Sequence, residues 1–172
     1  MTGEAAIPRR DIESQFVSGV RIRAEAAFVS GLYCAESVVL ALAEVQGIES
    51  DLLPKVATGF CSGMADTSGT CGALTGAMMG VGLALGRSAA SESVAPAYVA
   101  TRRLVREFEQ EFGARDCSVL LGCDLGTPEG QATFDEDRLE ERCAIFTGKA
   151  AEIAARIVFE ASSERRDREG LE

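Results

Sequence analysis

The 172-residue sequence has no histidine and no tryptophan, and only four prolines and two tyrosines. Without histidine the chain builds no Ser-His-Asp triad and no Cys-His dyad, and it offers no imidazole to zinc or haem. Any metal held by its side chains must sit on cysteine or carboxylate. There is no Cys-x-x-Cys, the close ligand pair of zinc ribbons and ferredoxin-type clusters. Positive charge is scarce: 17 Lys and Arg face 27 Asp and Glu, a formal net charge of −10. Phosphate contacts dominate nucleic-acid affinity, so this balance argues against nucleic acid as a partner, and equally against anionic lipid. Long apolar runs are missing too. The most apolar stretch, 71–86, is rich in glycine and falls short of the about 20 residues a spanning helix needs. Arg9-Arg10 is followed by Asp11 and Glu13 instead of an apolar region, so it does not read as a twin-arginine signal. The expected location is the cytoplasm, with no membrane association. Thiols are kept reduced there, which turns the six cysteines toward metal binding or redox chemistry before structural disulfides.

What is present is helical periodicity. Ile12, Phe16, Val20, Ala24, Ala27 and Phe28 recur at threes and fours up to Gly31. A second helix is predicted from Cys34 to Gln46 with Gly47 as its stop, and a short one after Ser50. A glycine-rich loop, 59–69, follows. Thr70 then reads as the cap of a helix whose first residue is Cys71 and which carries Gly72, Gly76 and Gly80 on one face. Each glycine costs a helix about 1 kcal/mol relative to alanine, so three in register need close approach of another element or of a bound group. Tyr98 to Phe112 is a long amphipathic helix stopped by Gly113. Asp116 reads as a cap for a short helix at Cys117, and Thr127-Pro128 as a cap followed by a first-turn proline. A last helix is predicted from near Cys143 to Val158, after an acidic solvated stretch at 135–141. No period of two is sustained. The expected fold is all-α: a single domain of short helices packed around a glycine-rich central helix. Residues 1–10 are expected to form a flexible N-terminus, 11–160 the helical domain, and 161–172 a charged, frayed tail.

Cys34, Cys71, Cys117 and Cys143 each fall at or near a predicted helix start. Free N–H groups and the positive dipole end there favour thiolate, which is the nucleophile and the metal ligand. These four are the candidate cofactor- and metal-binding residues. Cys61, in the glycine-rich loop, and Cys123 are left over. Each is an exposed thiol, a resolving partner or, as the favoured reading, a plain loop residue.

Several blocks carry a resemblance. They are Tyr33-Cys34-Ala35-Glu36-Ser37-Val38; Gly59-Phe60 with Gly63-Met64; and Thr70-Cys71-Gly72-Ala73-Leu74-Thr75-Gly76-Ala77. Further on come Phe112-Gly113, Cys117, Leu120-Leu121-Gly122, Asp124-Leu125 and Thr127-Pro128-Glu129-Gly130, then Cys143. In this order they resemble the C_GCAxxG_C_C family of redox-active proteins, mostly small bacterial proteins, over residues 32–158. The resemblance places the family's four cysteines on Cys34, Cys71, Cys117 and Cys143. A related domain in split-Soret cytochromes is associated with an iron–sulfur cluster, so the resemblance implies such a cluster here. Haem does not carry over, because the chain has no Cys-x-x-Cys-His. Tyr33 stands where the family often has Asn, and Cys61 where it often has Gly.

Three functions are open on these residues. The first is an electron-transfer or redox-sensing protein with an iron–sulfur cluster or other metal on the four cysteines. The second is a metal-free thiol–disulfide protein cycling pairs of them, which would make the chain oxidoreductase-type. The third is a structural zinc site or an interaction module with no redox activity. The implied partner is a redox protein, and a homodimer is the default assembly for a helical domain with spare apolar faces.

Overall fold

The computed structural model describes residues 8–170. The N-terminal expectation for residues 1–7 lies outside them. Helix α1 spans Arg9–Val29, α2 Cys34–Glu44 and α3 Leu52–Ala57. A single 3-10 turn, Thr58–Phe60, leads into a tight turn at Cys61–Asp66. Then follow α4, Gly72–Leu85; α5, Ala95–Phe112; α6, Cys117–Leu121; α7, Pro128–Glu136; and α8, Glu140–Glu169. The fold is all-α. Among the described residues there is no strand, and one isolated antiparallel bridge joins Thr70 to Asp116.

The helix limits follow from local chemistry. Gly31, Gly47 and Gly113 have left-handed φ of +106°, +69° and +78°, conformations that stop a helix at little cost for glycine. Thr127 caps α7 as expected, its Oγ1 accepting the Gly130 N–H at 3.0 Å. Other caps differ from expectation. Asp116 stands before α6 but its side chain makes no cap bond; its backbone forms the bridge to Thr70. Cys71, rather than Thr70, occupies the cap position of α4. The last helix starts at Glu140, which puts Cys143 in its second turn, and it continues through the charged segment to Glu169.

The longest helices, α1 and α8, pack along each other. The glycine-rich α4 lies between α2, α5 and α8. Leu42, Leu74, Leu104, Phe108 and Ile153 are fully buried between these layers. Each such side chain stabilises the fold by roughly 1.5–3 kcal/mol. Phe108, Phe112 and Phe146 form an edge-to-face row with centroids 4.9 and 4.8 Å apart, which ties α5 to α8.

The glycine register has a packing explanation. A Cβ built on Gly76 would lie 2.4 Å from the Ala35 carbonyl oxygen, and one on Gly80 would lie 2.3 Å from Leu42 Cδ1. Helix α2 therefore sits directly on the glycine face of α4. Gly82, on another side of the same helix, meets nothing within 4 Å. The two positions make an internal control. Gly76→Ala is expected to lower stability by about 1–3 kcal/mol, because a backbone carbonyl cannot yield as a flexible side chain can. Gly82→Ala is expected to raise it by about 0.5–1 kcal/mol through helix propensity. Thermal unfolding of the two variants reads both signs, and equal shifts would contradict the packing account.

Candidate functional site: a cysteine-lined cavity

Cys34 is the first residue of α2. The turn before it is held by the Tyr33 N–H donating to Glu36 Oε2 at 2.8 Å. The Glu36 carboxylate is buried and also accepts the Thr58 hydroxyl at 2.6 Å, which anchors the 3-10 turn ahead of Cys61 to the start of α2. Cys71 and Cys117 are brought together by the Thr70–Asp116 bridge. The Cys71 N–H donates to the Arg115 carbonyl and the Cys117 N–H to the Gly69 carbonyl, both at 2.8 Å. Two helix starts distant in sequence are thus locked side by side by backbone. Cys143 arrives from α8, one turn before Phe146.

All four sequence-designated cysteines line one open cavity of about 580 Å³. Its walls are largely apolar, with Phe28, Leu32, Leu121, Phe134 and Phe146 among them, while the exposed acids Asp66, Glu140 and Glu141 stand at its edge. Cys34, Cys71 and Cys117 are buried and Cys143 is half-buried. All six cysteines are free. Among the described residues, no three or more Cys, Asp or Glu side chains are drawn together as a preformed site for a single ion. The four thiols share a cavity without forming a closed cage.

Glycines make the site possible. A Cβ on Gly72 would lie 2.4 Å from Cys34 Sγ and 3.0 Å from Cys61 Cα. A Cβ on Gly63 would lie 2.5 Å from Cys117 Cβ. The segment around Gly63 is unusual: Ser62, Gly63, Met64, Ala65 and Asp66 all have positive φ, between 53° and 66°. This is a left-handed turn, which costs about 1–2 kcal/mol for each residue with a Cβ. Such strain persists only where surrounding contacts over-determine it, and it clusters at functional sites. Here the Gly69 N–H donates to the Gly63 carbonyl at 2.9 Å, and the Ser68 hydroxyl to Asp124 Oδ1 at 2.6 Å. The sequence indicated only a glycine-rich loop at this place; nothing in Ser62, Met64 or Ala65 signals left-handed backbone.

The helix-start argument for thiolate is overturned at three of the four cysteines. Burial pushes the Cys71 thiol up to about 12, although the Ala73 and Leu74 N–H groups at the start of α4 pull the other way. Burial, with Cys123 and Asp66 nearby, pushes Cys117 up to about 11. Burial, with the Cys71 and Cys117 sulfurs nearby, pushes Cys143 up to about 12. At Cys71 desolvation outweighs the backbone donors, and all three thiols are neutral at pH 7. Cys61 is also corrected. It is 3 % exposed and buried in the core, not a plain loop residue. Its thiol donates to the Ala57 carbonyl at 3.7 Å, and the Cys34 sulfur beside it, with burial, raises its pKa strongly. Cys123 is half-buried beside Asp124 and Asp137; burial and these acids raise its pKa.

The all-helical domain thus brings four cysteines to one cavity. A family model described as putative redox-active protein (C_GCAxxG_C_C) matches residues 32–157, and the chain belongs to that family. No curated protein and no solved structure matches the chain. No helix among the described residues is long and apolar enough to cross a membrane.

The raised thiols have a measurable consequence. A pKa higher in the folded than in the unfolded chain contributes stability that is complete below the ordinary value of 9.0 and is lost as pH rises through the folded values of about 11 to 12. In metal-free protein, ultraviolet thiolate absorbance should therefore rise late. Three thiols are expected to ionise only above pH 11 while the fold persists, and all near 9 after unfolding. A folded chain that titrates all its thiols near 9 would refute the burial account.

Proposed function

We propose that the protein is an electron-transfer or redox-sensing protein that holds an iron–sulfur cluster on Cys34, Cys71, Cys117 and Cys143. The observation that carries this reading is that four cysteines from four separate helices open onto one cavity. The residues fit such a group. Thiol sulfur is the donor iron–sulfur clusters use, and the chain has no histidine to compete for the iron. A cluster of several irons spans farther than one ion, so its ligands need not converge as tightly as those of a lone metal. Gly72 and Gly63 keep Cβ atoms out of the space beside Cys34 and Cys117. The Ala73 and Leu74 N–H groups directed at Cys71 are donors of the kind that tune a cluster's potential. When bound, the cluster supplies one-electron chemistry. The apolar wall of Phe28, Phe134 and Phe146 limits water, and burial keeps the unloaded Cys71, Cys117 and Cys143 thiols protonated, so loading releases protons. The reading includes a cytoplasmic setting and a redox partner protein that exchanges electrons at the cavity mouth.

Anaerobic expression with an active cluster-assembly system tests it. Coloured protein containing iron and acid-labile sulfide is expected. Cys117→Ser or Cys143→Ser should lose at least roughly tenfold of the iron, a loss in the range typical for damage around a metal site. Cys123→Ser should retain it. Colourless wild-type protein without iron would refute the reading, as would protein loaded with zinc alone.

A further inference from the structure

Cys61 is the thiol that the cluster reading leaves unused, and its neighbourhood is specific. It sits at the end of the 3-10 turn, one residue before the left-handed backbone, and is 3 % exposed. Its Cα and the Cys34 sulfur crowd the same point, 3.0 and 2.4 Å from where a Gly72 Cβ would stand. The missing Cβ of Gly72 is what lets these two cysteines approach. The Cys34 sulfur stands close enough to the Cys61 thiol to raise its pKa strongly. Access differs between the two. Cys34 lines the open cavity, whereas Cys61 lies behind it, outside the cavity wall.

We infer that Cys34 and Cys61 form a dithiol–disulfide switch, with Cys34 attacking a low-molecular-weight disulfide that enters the cavity and Cys61 as the resolving thiol. In the first step the Cys34 sulfur bonds to one sulfur of the small disulfide. The small disulfide's own S–S bond breaks, and one small thiol leaves carrying the Cys34 proton. In the second, the Cys61 sulfur displaces the remaining small thiol from Cys34, and that thiol leaves with the Cys61 proton. The protein loses two electrons and two protons, and the small disulfide becomes two thiols. Only Cys34 needs access to the reagent, and the Cys34 sulfur and the Cys61 Cα already border the same point beside Gly72, the closeness a disulfide needs. The consequence rests on the cluster reading: the linked form withdraws Cys34 from the four-cysteine set, so oxidation closes the site to iron.

The test uses the full chain, reduced and freed of iron by chelation without oxygen, then exposed to oxidised glutathione, alkylated and mapped by peptide mass spectrometry. A Cys34–Cys61 linked peptide is expected, with two protein thiols lost and two glutathione thiols released per chain. The Cys61→Ser variant should stop at a glutathione adduct on Cys34. Unchanged thiol content, linkage between other cysteines, or a Cys61→Ser chain without the Cys34 adduct would overturn the switch. Iron uptake by reduced and linked chains separates this from the cluster reading. Uptake by the reduced chain alone supports both. Equal uptake by the two chains overturns the closure of the site. A chain that links the two sulfurs but takes up no iron when reduced supports the pair and refutes the cluster.

Discussion

Fold and site depend on one contact, the seating of α2 on the glycine face of α4. Gly76 and Gly80 admit the α2 backbone and Leu42, and Gly72, one turn earlier on the same face, admits the Cys34 sulfur. The register that lets two helices interlock also delivers a thiol to the start of the neighbouring helix. Because protein interiors are close-packed, moving α2 outward by a methyl group would shift the core and the cavity wall together. Three helix-weakening glycines are retained because each stands where no side chain fits.

A second constraint is backbone rather than side chain. The bridge between Thr70 and Asp116 fixes Cys71 against Cys117, and the left-handed turn over residues 62–66 presses Gly63 onto Cys117 from the other side. Neither device belongs to a helix, yet together they decide where two of the four cavity thiols stand. The strain in that turn is offset by the hydrogen bonds that pin it, including the reach of Ser68 across to Asp124 in the loop ahead of α7.

Burial then sets the chemistry. A thiol at a helix start is activated when it is solvated. Here the same backbone donors act on sulfurs taken out of water, and desolvation prevails at Cys71. At rest Cys71, Cys117 and Cys143 are protonated thiols.

The sequence by itself determined the all-helical architecture, because the 3.6-residue apolar period and its glycine stops are local signals. It also singled out Cys34, Cys71, Cys117 and Cys143, by their places near helix starts and by the family pattern, and these four line one cavity. It left open whether Gly72, Gly76 and Gly80 served a bound group or a helix, since either needs the same missing Cβ atoms. Only tertiary structure decided that α2 covers them. Tertiary structure alone also gave Cys61 its buried place beside Cys34, and it reversed the expected ionisation of Cys71, Cys117 and Cys143. Those properties depend on which atoms from distant segments exclude water and share space, and no spacing along the chain encodes that.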